Sequence, residues 1–213
     1  MEDYVKLVAD IVIYLSIGCS VIYLIGFTKN SKAYRLFAIY LFLIAVIQFI
    51  SYYIGRGGLK KPNLFMSHYY FISQFILLSL FYYELLKKVI IKKILIVVLL
   101  ALAYQYFEMP ELYFKYNVLG ITITQAIIVV YSMFYFYKSL NGKRDFLIVN
   151  VGVFIYLLSS VLIFASGNLM LNLNISKETR LVLVNLNRGL MLVFQLLILV
   201  EWWRNYRIKL KKI

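Results

Sequence analysis

Residues 181–203 read LVLVNLNRGLMLVFQLLILVEWW, and this stretch decides the class of fold. A helix needs about 20 mostly apolar residues to cross the hydrocarbon core of a bilayer. The stretch meets that length, and only Arg188 and Glu201 within it are charged. Six further apolar stretches precede it, at residues 5–27, 34–54, 64–86, 89–107, 116–137 and 146–165. The sequence therefore predicts an all-α, polytopic membrane protein built as a bundle of seven transmembrane helices.

The composition indicates the same class. Of the 213 residues, 63% are hydrophobic and 15% are charged, whereas soluble domains carry about 25% charged residues. A soluble globule cannot cover that much apolar surface, so a soluble enzyme, a disordered chain and a coiled coil are excluded. The single Cys19 excludes a scaffold of intrachain disulfides. We expect residues 1–213 to form one transmembrane domain without a soluble domain.

Lysine and arginine determine the predicted orientation, because basic residues collect in cytoplasmic loops. With the N-terminus outside, the inner side carries 15 basic and 3 acidic residues, and the outer side carries 8 and 6. We predict an N-out, C-in chain and expect it in a bacterial inner or plasma membrane. The net charge of +14 then indicates contact with anionic lipid headgroups at the inner face, and we expect no binding of nucleic acid.

Arg188 and Asp10 are the charged residues that lie deepest in the predicted spans. Arg188 lies about eight residues, or ~12 Å, from the outer end of the last span. Charged side chains inside a membrane are costly and usually face the bundle interior or a wet cavity. An ion pair between Arg188 and Asp10 that fixes helix packing, a ligand- or ion-binding role, and snorkelling of Arg188 to the outer interface all remain open.

Polar side chains within the spans lie mostly in the predicted outer half. In the last span, Asn185, Arg188 and Gln195 share one helical face, and Asn187 is predicted to point to the opposite side. This asymmetry predicts a polar pocket open to the outside and a drier, packed inner half. The candidate pocket residues are Asp10, Gln48, His68, Gln74, Asn117, Thr122, Thr124, Gln125, Asn185 and Arg188.

Two acidic residues lie near the predicted inner interface. Glu84 has Lys88 four residues later, and Glu201 has Arg204 three residues later. Side chains at these spacings meet on a helix surface, so both acids are predicted to form interfacial charge pairs.

The sequence lacks three kinds of motif that are typical of catalytic sites. The chain has no paired metal ligands, no nucleophile motif and no phosphate-binding loop, and we expect no cofactor and no metal. This favours a non-enzymatic role and leaves an enzyme open. The pocket favours a sensor or accessory subunit that binds a small anionic ligand and acts through a cytosolic or membrane protein partner. The alternative is a transporter, or an oligomeric pore-forming component of a prokaryotic signalling or defence system, with the chain as a homo-oligomer.

Overall fold

A computed structural model describes residues 2–57, 59, 62–142, 145–171 and 177–207, with side chains for residues 7–55, 59, 62–142, 145–163 and 182–207. Every regular element in these ranges is helical. The α-helices are α1 (Glu2–Ile25), α2 (Lys32–Tyr52), α3 (Met66–Leu86), α4 (Ile90–Glu108), α5 (Val118–Ser139), α6 (Leu147–Leu171) and α7 (Lys177–Asn205). A π-helical turn, Tyr53–Gly57, extends α2, and a 3₁₀-helix, Pro110–Phe114, connects α4 to α5.

The helices have the length and hydropathy of membrane spans. Within the described residues, six helices are long and apolar enough to cross a membrane. The part of α6 whose side chains are described, Leu147–Ile163, is a shorter apolar helix. The predicted all-helical, multi-pass membrane architecture is thereby confirmed. The count of seven crossings and the N-out orientation stay predictions.

Six of the seven helices pack as a closed ring. Each of α1, α2 and α3 contacts the next, α3 contacts α5, α5 contacts α6, α6 contacts α7, and α7 closes the ring against α1. Helix α4 lies outside this ring, packed against α3 and the following 3₁₀-helix. The ring therefore encloses an interior to which α4 contributes little.

The two ends of the ring differ in charge and in packing. Because neighbouring helices alternate in direction, α1 and α3 end where α2 and α4 begin, and we call this the basic end. The opposite end, where α1 and α3 begin, is the N-terminal end. The described cationic residues of the basic end are Lys29, Lys32, Arg35, Lys87, Lys88, Lys92, Lys93, Lys138, Arg204 and Arg207.

Aromatic side chains fill the ring at the basic end. Tyr34 and Phe37 of α2 are completely buried, as are Phe81 of α3 and Phe146 just before α6. The Phe37 ring centroid lies 5.2 Å from that of Phe81 and 5.8 Å from that of Phe146, and the Tyr34 centroid lies 4.7 Å from that of Tyr206. Aromatic pairs at these separations contribute about 0.5–1.5 kcal/mol beyond the area that they bury. This half of the bundle is a packed core.

Glu201 of α7 is buried in this core and caps helix α6. Its carboxylate is 0% exposed and accepts backbone N–H groups from Phe146 (3.1 Å), Ile148 (2.9 Å) and Val149 (3.4 Å), and Asn205 donates to it as well. The first N–H groups of a helix lack partners within the helix and favour an anion. The predicted interfacial pair with Arg204 is therefore wrong, because Glu201 is buried against the start of α6 and accepts its backbone N–H groups there.

Glu84 also has partners other than the predicted one. Its carboxylate lies 2.9 Å from the Lys32 ammonium and binds Lys87 as well. The ammonium of Lys88 instead lies 4.7 Å from the centre of the Phe134 ring. The predicted Glu84–Lys88 pair is wrong because α3 ends at Leu86, and Lys87 then adopts a left-handed backbone with φ 57°. The chain after this turn no longer follows the spacing of helix α3.

Buried amides join the helices of the ring. The Asn150 side chain, 0% exposed, accepts the Tyr82 hydroxyl proton at 2.6 Å and donates to the Ser132 carbonyl at 3.2 Å. Across the ring, Gln195 of α7 donates to the Val12 carbonyl of α1 at 3.0 Å. These bonds connect α3, α5 and α6 on one side and close α7 onto α1 on the other.

Candidate ligand-binding cavity

The larger cavity of the ring lies at the N-terminal end and has a volume of about 420 Å³. Binding pockets for small molecules are typically concavities of about 300–1,000 Å³. Helices α1, α2, α3 and α7 line it, together with the loop between α2 and α3 and with Tyr116, which precedes α5. The polar lining side chains are Gln48, Ser51, Tyr52, Asn63, Ser67, Tyr70, Tyr116 and Arg188.

A second cavity of about 240 Å³ adjoins the first. Val12, Gln48, Ser67, Tyr70, Tyr116 and Arg188 line both of them. The second cavity adds Gln125 of α5, Tyr156 and Ser160 of α6, and Asn187 of α7. The two together reach from the α2–α3 loop to the inner faces of α5 and α6.

Four residues that line the second cavity carry a buried side-chain oxygen that has no hydrogen-bond partner within the described part of the chain. These oxygens are the Gln48 Oε1, the Gln125 Oε1, the Ser160 Oγ and the Asn187 Oδ1. Gln125 is 4% exposed and Ser160 is 0% exposed, so bulk water does not solvate them. A buried polar group that stays unpaired costs about 1–3 kcal/mol, and such groups usually meet an ordered water or a ligand.

Arg188 lies in the wall shared by the two cavities. Among their described lining residues, it is the only charged side chain, and none of the others is an aspartate, glutamate, histidine or cysteine. A guanidinium offers five N–H donors in a fixed planar array, which suits a carboxylate or a phosphate. The described lining therefore presents one cation among neutral hydrogen-bonding groups, which include tyrosine hydroxyls.

Asp10, the predicted partner of Arg188, lies half-buried on α1 between lining residues. The α1 residues that line the larger cavity are Ala9, Val12 and Ile13, and Asp10 is not among the described lining residues. The Asp10–Arg188 ion pair therefore stays a prediction.

The loop between α2 and α3 is held at the cavity mouth by Asn63. Its side-chain amide donates to the backbone oxygen of Ser51 at 2.8 Å and to the Ser51 hydroxyl at 3.0 Å. Gly55, in the π-helical turn, makes this contact possible, because a Cβ at that position would lie 2.7 Å from the Asn63 amide nitrogen. Such turns are frequent at functional sites. Here the turn gives α2 an end that lines the cavity.

Two of the predicted site residues, His68 and Asn117, do not line the cavities. They belong to a hydrogen-bonded cluster that anchors the connection between α4 and α5. His68 Nε2 lies 3.1 Å from the Tyr113 carbonyl and must donate to it, so Nδ1 accepts the Tyr106 hydroxyl proton at 2.5 Å. Asn117 donates to the Tyr106 oxygen at 3.3 Å and accepts the Gly120 N–H at 2.8 Å as the N-cap of α5. The bond between the Tyr69 and Tyr113 hydroxyls, 3.1 Å apart, raises the pKa of Tyr113.

Three other predicted site residues are not among the described lining residues of the two cavities. Gln74 donates to the Tyr40 hydroxyl at 3.2 Å between α3 and α2. The Thr124 hydroxyl donates to the Gly120 carbonyl of its own helix at 2.7 Å. Thr122 is half-buried on α5 and is not among the described residues of either cavity. Of the ten candidate residues, the structure brings Gln48, Gln125 and Arg188 together at the two cavities.

Helix α7 presents a different face to the cavity than its sequence indicates. Asn187 lines the second cavity beside Arg188 and Met191, whereas Asn185 is not among the described lining residues. The prediction that Asn187 points to the side opposite the face of Asn185, Arg188 and Gln195 does not match this lining, because a cavity at a helix junction accepts neighbouring positions about 100° apart. Tyr70, Tyr156 and Ser160 also line the cavity, and only their depth within apolar spans could have indicated them.

Comparisons of the chain with protein-family models, with curated proteins and with solved structures found no match. Within the described residues, no group of three or more His, Cys, Asp or Glu side chains is placed to hold a metal ion.

Proposed function

We propose that the chain is a non-enzymatic membrane sensor or accessory subunit that binds a small anion in the cavities at its N-terminal end. The observation that carries this proposal is Arg188, the only charged side chain among the described lining residues of both cavities. Beside it, Gln125, Ser160 and Asn187 hold oxygen atoms without protein partners in the described chain. An anion that also carries hydrogen-bond donors would be attracted by the guanidinium charge and would offer partners to these oxygens.

Helix α7 offers a direct route from the cavities to the basic end. It runs without interruption from Arg188 to Glu201, 13 residues later in the sequence, which is ~20 Å along a helix. Glu201 holds the first N–H groups of α6. A ligand that moves or stiffens α7 would therefore change the start of α6. We propose that a cytosolic or membrane protein partner reads this change at the basic end.

Native mass spectrometry of the detergent-purified protein tests the binding site. We expect the wild type to carry a small-molecule adduct whose mass identifies the ligand class, or to gain one when small carboxylates and phosphate esters are added. We expect Arg188→Ala to lose the adduct and Arg188→Lys to keep it weakly, because lysine keeps the charge and loses the planar array of donors. Retention of the adduct by Arg188→Ala, or no binding of any added anion by the wild type, would contradict the proposal.

A matched pair of glutamines separates binding from folding. Gln125 lines the second cavity, whereas Gln195 joins α7 to α1 through the Val12 carbonyl. We expect Gln125→Leu to weaken ligand binding at least tenfold with little change in thermal stability. We expect Gln195→Leu to lower thermal stability and to leave the ligand affinity of the folded fraction within twofold.

Hydrogen exchange tests the route along α7. The amides of Phe146, Ile148 and Val149 are bound by Glu201, so their exchange reports the contact between α7 and α6. We expect ligand addition to change their exchange rates in the wild type and not in Arg188→Ala. Equal exchange rates with and without bound ligand would leave the proposed binding site supported and would contradict the proposed signal along α7.

The alternative function, transport or pore formation, needs a path through the basic end. The buried aromatic cluster around Phe37 and Phe146 occupies that part of the ring. This packing favours binding over passage through a single copy, and it leaves a pore between copies as the form that the alternative would take. Ion flux into liposomes that contain the purified protein distinguishes the two functions.

A further inference from the structure

A groove separates α4 from α5 at the basic end of the bundle, outside the ring interior. Its volume is about 430 Å³. Its walls are apolar and come from Ile90, Ile91 and Ile94 of α4 and from Ile127, Val130 and Phe134 of α5. Since both helices have the length and hydropathy of membrane spans, the groove lies on a surface that contacts hydrocarbon chains.

A cation lies at the end of this groove that is nearest the basic loops. Lys88 lines it, and its ammonium is 4.7 Å from the centre of the Phe134 ring. In the adjoining turn of α3, the Glu84 carboxylate is bound by Lys32 and Lys87. Among these lysines, Lys88 is the one whose charge faces the groove.

A buried hydroxyl lies further along the same groove. Tyr131 lines it and is 4% exposed, and its hydroxyl has no hydrogen-bond partner within the described residues. A hydroxyl without a protein partner can donate to a ligand oxygen that reaches it. Along α5, the groove extends from Phe134 to Ala126, about 12 Å at 1.5 Å per residue. The cation therefore lies at the surface end of the groove, and Tyr131 and further apolar side chains lie inward of it.

We propose that this groove binds an anionic phospholipid, with its phosphate at Lys88, an ester oxygen at Tyr131 and one acyl chain along the isoleucine walls. A phospholipid carries its anionic phosphate at the membrane surface and its hydrocarbon chains inward, as the groove presents Lys88 at its surface end and apolar walls beyond it. A second copy in the same membrane orientation fits less well, because it would bring one basic end against another in a chain of net charge +14. This site is independent of the cavities and of the proposed function.

Lipid titration by native mass spectrometry tests the site. The delipidated protein is mixed with phosphatidylglycerol or phosphatidylcholine of identical acyl chains. We expect one high-affinity site that prefers phosphatidylglycerol, and we expect Lys88→Gln to weaken that binding roughly fivefold, which about 1 kcal/mol per basic residue at an anionic surface implies. The matched control is Lys93→Gln, since Lys93 is exposed in the first turn of α4 and is not among the groove's described lining residues.

A second pair of variants tests the acyl-chain part of the groove. Ala126 lies in the groove wall, so Ala126→Trp fills the space and should abolish the site for both lipids. Met133→Trp adds the same bulk at an exposed position of α5 outside the described lining and should leave the site intact.

Equal losses in Lys88→Gln and Lys93→Gln would overturn the proposal, as would lipid binding retained by folded Ala126→Trp. A dimer that the lipid does not displace would assign the groove to a second copy. If Ala126→Trp does not fold, the two lysine variants decide the outcome alone.

Discussion

Four buried polar residues, two at each end of the ring, differ in whether the protein provides them with partners. At the basic end, the Glu201 carboxylate holds three backbone N–H groups of α6, and the Asn150 amide bridges two neighbouring helices. At the N-terminal end, Gln125 and Ser160 are equally buried, but each has an oxygen without a partner in the described chain. The comparison of these four residues teaches that a buried polar side chain stabilises the fold where the protein provides its partners and keeps its hydrogen-bonding capacity where the protein does not.

The largest effect is expected from Glu201→Ala. Three N–H groups at the start of α6 would lose a charged acceptor in a dry core, which we expect to cost about 3 kcal/mol. Denaturant or thermal unfolding in detergent measures this loss. Glu84→Ala is the control, because its exposed lysine partners contribute at most about 1 kcal/mol. A loss for Glu201→Ala no larger than that of Glu84→Ala would contradict a structural cap at the basic end.

Asn150→Leu should have the next largest effect. The substitution keeps the side-chain volume and removes the bonds to the Tyr82 hydroxyl and the Ser132 carbonyl. Hydrogen bonds between membrane helices contribute about 0.6 kcal/mol each on average, and the groups left unpaired add to the cost. We expect a loss of about 1–2 kcal/mol in unfolding free energy. A double-mutant cycle with Tyr82→Phe should show coupling, and additive losses would show that the Asn150–Tyr82 bond contributes nothing.

A smaller loss is expected from Tyr106→Phe, at the N-terminal end but outside the cavities. Its hydroxyl bridges His68 and Asn117. Removal of the hydroxyl therefore breaks one hydrogen bond of the His68 ring and one of the Asn117 amide. We expect about 1 kcal/mol of destabilisation and an unchanged ligand affinity. Tyr104→Phe, at a highly exposed position of the same helix, is the control and should change neither quantity.

Ser160→Ala should have the smallest effect on the unliganded protein. The Ser160 hydroxyl has no described protein partner, so its removal should change the unfolding free energy by less than about 0.5 kcal/mol. The same variant should weaken ligand binding, measured as a smaller ligand-induced rise in melting temperature. If Ser160→Ala destabilised the free protein as much as Asn150→Leu does, the contrast between the two ends would disappear.

Some features of the site could be predicted from the sequence, and others could not. The depth of Arg188, Gln48 and Gln125 within apolar spans indicated an interior position, because exposure to lipid is costly for such groups. His68 and Asn117 are also polar residues of the predicted spans, yet they lie near helix starts and hold the α4–α5 connection. Helical periodicity specifies the angle of a side chain on its own helix and not which neighbour that angle faces.

The amino-acid sequence by itself determined that this chain is a helical, multi-pass membrane protein, because long apolar stretches have no other stable arrangement in a bilayer. It also determined the basic character of one end. Only the tertiary structure decided that α7 closes on α1, that α4 lies outside the ring, and that Glu201 caps a helix 53–55 positions away in the chain. The physical reason is that local hydropathy sets where a helix lies in the membrane, whereas its neighbours are selected by packing and hydrogen bonds between distant residues.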